Sequence, residues 1–381
     1  MVGDSVDAVR VARDERDLVN VALVDEQVGL VCHTLARRAL SKNPAEASAA
    51  AEPTAGRVGR GGTDGDPVRA SSATPFPRSV ERPRMSALDE DVLAKYREAG
   101  EILTTVMGET RELVEPGATH LEVAEYAEER IREEGAGLAF PVNVSIDEEA
   151  SHATPERDDE TEFGEDVVCL DIGVHVDGYI ADAAVTIDLA GETELVEAAE
   201  QALEAAVDAA GPGVPVGEIG AEIEDVIEAY DYTPVYNLSG HGVERFDAHT
   251  GPSVPNRGVD RSVELEPGQV VAIEPFATTG RGKVGEGNEE EIFELTEDVS
   301  VRNRAARQAL EQVREFDGLP FAARWLDSSR DEMALRRLAR QGAVKGYPVL
   351  KEQDGELVSQ AEHTIVVTED GIEVTTEGLF A

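Results

Sequence analysis

An α+β domain is predicted for residues 85–381 from three observations. Amphipathic helical periodicity alternates with short β-branched runs. Helices and hairpins interleave without a regular βαβ beat, and no Gly-rich phosphate loop follows a strand, which disfavours doubly wound and barrel folds. The predicted helices are about Asp89–Val114, His120–Glu134, Leu195–Ala210 and Val216–Tyr230. Thr119 followed by Glu122 forms a capping box that opens the second. The predicted strands are Val142–Ile146, Val167–Val174, Ile180–Ile187, Val270–Ile273 and Thr364–Thr368. Residues 300–350 read as a separate helical block: Arg302–Phe316, Phe321–Leu326 and Asp331–Gln341, closed by a Gly-Tyr-Pro turn. The block is expected to be a small helix-turn-helix or winged-helix-like insertion between two core strands. No internal repeat is visible.

Charge separates the chain into two parts. The 381 residues carry 79 acidic and 34 basic side chains, a net charge of -45, and 41% are apolar, enough for a large core. Residues 1–84 balance 12 acids against 12 bases, whereas residues 85–381 hold 67 against 22. From Ser41 to Arg84 the sequence is Ala, Gly, Pro, Ser and Arg with almost no large apolar residue, so residues 1–84 are expected to be a disordered extension with at most a weak helix in 1–40. Met85 then marks the start of the folded domain, either as the true start or because a regulatory tail precedes it.

Only 5 of the 34 basic residues are lysine. The acidic surface suits a salt-rich cytoplasm, where screening suppresses mutual repulsion, and excludes a general duplex-DNA binder. Cys32 and Cys169 lie far apart, with Cys169 inside an apolar run, which argues for a reducing interior rather than a disulfide. The apolar stretch Leu18–Val24 is broken by Asn20 and is too short for a signal core or a membrane span, so a cytoplasmic location is expected.

The chemistry concentrates in a few segments. VVCLDIGVHVDGYIADAAVTI (167–187) places two apolar runs around Asp177-Gly178, a two-residue hairpin signal. With a type I′ turn, Asp171 faces Ala184 and lies diagonal to Asp182 on the same sheet face. Two carboxylates within apolar strands are costly unless a cation compensates them; the alternative is a pair of edge carboxylates facing water. SGHGVERFDAHTGPSVPN (239–256) carries His241 and His249, VVAIEPFAT (270–278) sets Glu274 at the end of an apolar strand, and VSQAEHTIVV (358–367) sets Glu362 beside another. Asp171, Asp182, His241, Glu274 and Glu362 together make an oxygen-rich donor set with a single nitrogen, suited to two divalent ions sharing bridging carboxylates.

The order Asp-x10-Asp, then GH, IEP and QxEHT resembles the pita-bread metallopeptidases, and specifically the type II methionine aminopeptidases. AFPVNVS (139–145), SHATP (151–155), HTGPSVPN (249–256), RWLD (324–327) and GYP (346–348) extend the resemblance from about Ser86 to the C-terminus, and the helical insertion before the last ligand distinguishes type II from type I. The resemblance implies a pita-bread fold and removal of the initiator methionine from nascent proteins with a small second residue, by a water activated between two divalent metals, Co, Mn, Fe or Zn. It further implies that Asp171 chelates one metal, that His241 and Glu274 bind the other, and that Asp182 and Glu362 bridge them. Glu274 would also handle the proton, His249 would polarise the scissile carbonyl and His152 would contact the scissile amide. Phe140, Phe276 and Tyr347, with His249 on the wall, would receive the methionine. Ala248 stands where many relatives carry a larger aliphatic, which implies a wider pocket.

A prolidase or aminopeptidase P shares the ligand set but usually carries a folded N-terminal domain. A non-enzymatic binding relative is opposed by five filled ligand positions. His120 and His175 are expected to be structural or solvent-facing, and His363 to point away from Glu362. The insertion holds 10 basic against 6 acidic residues, so its arginines either pair with the acidic core or form a ribosome-docking face.

Overall fold

Asp89 accepts the Asp91 N–H at 3.1 Å and starts α1 (Glu90–Arg111), which buries Tyr96, Ala99, Leu103, Val106 and Met107 at three- and four-residue spacing. The computed structural model describes residues 88–296 and 301–380. The chain divides into Met1–Arg78 and Ser79–Ala381; the expectations for residues 1–84 and for Cys32 lie outside the described residues. The capping box at Thr119 is present: its hydroxyl accepts the Glu122 N–H at 3.2 Å, and Glu122 accepts the Thr119 N–H at 3.3 Å, opening α2 (His120–Glu133).

Next come β1 (Gly137–Leu138), β2 (Asn143–Ile146), β3 (Glu149–Ser151), β4 (Val167–Val176) and β5 (Tyr179–Asp188). β4 and β5 pair in the predicted register, with Val176 opposite Tyr179 and Asp171 opposite Ala184. Asp177 and Gly178 take φ of 53° and 89°, as a type I′ turn requires. β1 and β2 pair with β4 as well. The helices cover this sheet through a core that includes Leu103, Met107, Ile131, Leu170 and Ile172.

A second pair, α3 (Thr193–Ala209) and α4 (Val216–Ala229), opens the other half. It leads into β6 (Thr233–Pro234), β7 (Ser239–Glu244), β8 (Asp247–Pro255), β9 (Val270–Ile273), β10 (Phe276–Thr278) and β11 (Gly285–Leu295). The insertion follows: α5 (Arg304–Val313), β12 (Phe321–Ala322) and α6 (Ser329–Arg340), around their own core of Leu310, Val313, Phe321, Leu335 and Leu338. β13 (Val344–Lys351), β14 (Val358–Gln360), β15 (His363–Val367) and β16 (Ile372–Val374) complete the domain. One sheet runs β16-β15-β9-β7-β8, another β14-β10-β6, and a third β12-β11-β13-β3. The plan of a helix pair followed by antiparallel strands thus occurs twice, which the sequence does not announce.

Two expectations need correction. Phe321–Leu326 is not a helix: Phe321 and Ala322 pair with Phe293 and Ile292 of β11, and only Ala323–Trp325 makes a short 3-10 turn. Both side chains are fully buried, so sheet pairing and core packing override the helical pattern. Gly346-Tyr347-Pro348 is not a turn either but the middle of β13, opposite Phe293, Ile292 and Glu290. The ladder shifts register between Glu290 and Ile292, where Pro348 has no N–H to donate.

Candidate metal centre

Both halves supply the five predicted ligands. β4 and β5 project Asp171 and Asp182 on one face, while Glu274 follows β9 directly and Glu362 sits between β14 and β15. His241 comes from β7, opposite Ala272 of β9. That approach depends on the preceding residue: a Cβ on Gly240 would lie 2.3 Å from the Ala272 carbonyl oxygen. His241 Nε2 lies 3.8 Å from Asp182 Oδ2 and 3.6 Å from Glu274 Oε1. The carbonyl of Gly242 accepts from His241 Nδ1 at 3.3 Å, so the Nε2 lone pair is turned to the carboxylates.

Side-chain hydroxyls join the halves where no backbone ladder does. Thr364 Oγ1 accepts the Asp182 N–H and donates to the Asp182 carbonyl, both at 2.8 Å. Thr186 Oγ1 mirrors it, accepting the Gln360 N–H at 2.9 Å and donating to the Gln360 carbonyl at 2.7 Å. Between them the Glu362 N–H reaches the Ala184 carbonyl at 3.0 Å. Gln360 Nε2 then donates to Glu274 at 3.4 Å and to Glu362 at 3.3 Å, aligning two of the predicted ligands with one amide.

The electrostatics call for a cation. Asp182 and Glu362 are 3% and 1% exposed, and Oδ1 of Asp171, Oδ1 of Asp182 and Oε1 of Glu362 have no hydrogen-bond partner. Burial pushes the Asp171 carboxyl up to about 7. Burial and mutual repulsion hold Asp182, Glu274 and Glu362 well above the usual carboxylate range. Burial, with His249 beside it, depresses His241 to about 3, so the imidazole supplies no counter-charge. Donor atoms of Asp182, His241 and Glu362 fall within 4.8 Å of one another. Orphaned carboxylate oxygens around a neutral imidazole fit a divalent cation.

The carboxylates floor a cavity of about 150 Å³ that is also lined by Phe140, His152, His249, Phe276 and Tyr347, so all ten predicted site residues meet there. Phe140 reaches it across Gly173, where a Cβ would come within 2.3 Å of the ring. His249 lies 4.6 Å from the His241 ring and 6.3 Å from Tyr347 between centroids. His152 takes φ 65°, a left-handed conformation that costs a non-glycine residue about 1–3 kcal/mol. Its Nδ1 donates to the Pro348 carbonyl at 3.2 Å, and burial lowers it to about 4.

The lining includes residues the sequence reading missed: Asn143, Leu238, Ile292 and Leu350. Asn143 could have been found, since β2 pairs it directly with Asp171; its Oδ1 is buried without a partner. Ala248, where a wider pocket was expected, lines with His249 and Tyr347 a second cavity adjoining the first. It also packs in the apolar cluster with Phe140, Ile180, Val243 and Leu319. His120 lies against Phe163, His175 against Phe246 and His363 against Phe380, all away from the cavity.

The sequence pattern of metallopeptidase family M24 matches residues 94–369. A methionine aminopeptidase of Archaeoglobus fulgidus is 50% identical over 292 residues, covering 76% of this chain and 100% of that protein. One from Methanocaldococcus jannaschii is 46% identical over 287 residues, covering 74% and 98%. The crystal structure of a methionine aminopeptidase from Thermotoga maritima superposes with a TM-score of 0.57 at 24% identity, over 77% of this chain and 99% of that one.

Proposed function

The chain belongs to metallopeptidase family M24, and from its activity as a methionine aminopeptidase we propose that it removes the initiator methionine from nascent proteins whose second residue is small. The observation that carries this reading is the set of four buried carboxylates, with unpartnered oxygens, around one imidazole at the floor of a cavity edged by two further histidines. Asp171 on one side, His241 and Glu274 on the other, and Asp182 and Glu362 between them would hold two divalent cations. The donor set accepts Co, Mn, Fe or Zn. When bound, such cations polarise a carbonyl oxygen and supply a nucleophile at neutral pH.

The surrounding residues perform the remaining tasks. Glu274, held by Gln360, takes up the proton that hydrolysis releases. With Nδ1–H committed to Pro348, His152 presents the Nε2 lone pair to the scissile amide N–H. His249, tilted against the His241 ring and facing Tyr347, is placed to donate to the carbonyl oxygen as it gains charge. Phe140, Phe276 and Tyr347 form the wall against which the methionine side chain packs.

Residence near nascent chains forms part of the proposal. The insertion is net basic within an acidic domain, and its exposed arginines offer ribosomal RNA a complementary face. Among the described residues no helix is long and apolar enough to cross a membrane. The deciding assay is hydrolysis of Met-Ala-Ser against Ala-Pro and other Xaa-Pro substrates after metal reconstitution. Release of methionine is expected, and preferential cleavage before proline would replace this reading with a prolidase one.

A further inference from the structure

We infer that Arg324 is a positioning residue that, with Glu128 and Thr154, fixes the His152 segment in the cavity; the inference rests on the role given to His152 above. Arg324 occupies the 3-10 turn of the insertion, yet its side chain is only 3% exposed and reaches into the catalytic core. Nη1 donates to Thr154 Oγ1 at 2.7 Å and to the Pro155 carbonyl at 3.1 Å. Nη2 donates to one oxygen of Glu128 on α2, and Trp325 Nε1 donates to the other at 2.7 Å. Thr154 Oγ1 in turn donates to the Val142 carbonyl at 2.8 Å, and the Ala153 carbonyl accepts the Val144 N–H at 2.8 Å. Each of the three residues after His152 is therefore tied down.

Two features separate this arrangement from a simple brace between insertion and core. Burial pushes the Glu128 carboxyl up and the Arg324 guanidinium down, in each case outweighing the attraction between them. Buried pairs of that kind are often replaced by apolar residues without loss of stability, so the pair is weak evidence of a purely stabilising role. What a guanidinium offers that an apolar residue lacks is a rigid planar fork with fixed donor directions. The segment it holds contains a residue in a left-handed conformation, which persists only where the surroundings over-determine it. Through this side chain the insertion reaches the segment that carries His152.

The test uses the metal-loaded enzyme and the double variant Glu128→Leu/Arg324→Met, which leaves no unpaired buried charge. On Met-Ala-Ser, kcat is expected to fall about 10- to 100-fold, as for other supporting-residue losses and displacements near 1 Å. KM, metal content and melting temperature should stay near wild type. In a His152→Ala background the same change should add less than about a threefold loss, because coupled residues are not additive. Equal losses in both backgrounds, or wild-type kcat in the double variant, overturn the inference while leaving the role of His152 intact. Wild-type kcat in His152→Ala alone overturns that role and this inference together. Should the double variant fail to fold, Thr154→Val keeps the ion pair and removes only the held hydroxyl. It should lower kcat about 3- to 10-fold, again only when His152 is present, and full activity refutes the inference.

Discussion

Replacing Thr364 by Val should detach Asp182 from the opposite half of the site while barely changing side-chain shape. The hydroxyl makes two hydrogen bonds to the Asp182 backbone, both at 2.8 Å, with no exposure to solvent. Each net bond is worth about 0.5–1.5 kcal/mol, and each backbone group left buried without a partner costs about 1–3 kcal/mol. Partial relaxation brings the expected loss to about 2–5 kcal/mol. Denaturant unfolding of the metal-free protein measures it, with Thr364→Ser as the control that keeps the hydroxyl and should lose under about 1 kcal/mol. A shift of Asp182 should also weaken cation binding about 10- to 100-fold, read by calorimetric titration. If Thr364→Val unfolds within about 0.5 kcal/mol of wild type and binds metal equally well, pairing between β4 and β5 alone positions Asp182 and the hydroxyl clamp has been misread.

Asp171→Asn or Glu362→Gln should lower kcat/KM on Met-Ala-Ser by at least about a thousandfold; near-normal turnover with two metals per chain would remove both from the site. Deleting residues 1–84 should leave melting temperature and turnover unchanged, since the relative from Archaeoglobus fulgidus is covered in full by 76% of this chain, and a large fall in either would contradict that. Reversing Arg336 and Arg337 to Glu should weaken ribosome co-sedimentation at matched salt and spare tripeptide hydrolysis; identical sedimentation would end the docking proposal. Burial, then repulsion from Glu156 and Glu332, raises the Glu291 carboxyl to about 7. Because the folded state holds this proton above the unfolded value, the carboxyl destabilises the fold progressively as pH climbs from about 4.5 to about 7, and the loss levels off above that. Glu291→Gln should therefore stabilise at pH 8 and not at pH 4, and equal effects at both would discard the assignment.

How far the residues disclose the fold depends on whether the relevant physics is local. The β4–β5 register followed from Asp177-Gly178 alone, because a two-residue turn fixes every later pair, and the α2 boundary followed from Thr119 and Glu122. Phe321 and Ala322 read as helical because their partners on β11 lie almost thirty positions away. Tyr347-Pro348 read as a turn because Pro tolerates a strand only where the ladder shifts, and sequence does not show the shift. The candidate ligands were legible as charges stranded on apolar strands. Thr186, Thr364 and Gln360 were not, since a polar residue in a strand resembles an outward-facing one until the other half of the molecule arrives to bond it.

That two-part construction carries a consequence for synthesis. Asp171 and Asp182 emerge early, while Glu362 is translated about 190 residues after Asp171, roughly 10–40 s later at ordinary elongation rates. During that interval the emerging chain gains His241 and then Glu274 but lacks Glu362 throughout, so the proposed donor set stays incomplete until the last strands are made. Loading of the proposed metal site is then one of the last events of maturation.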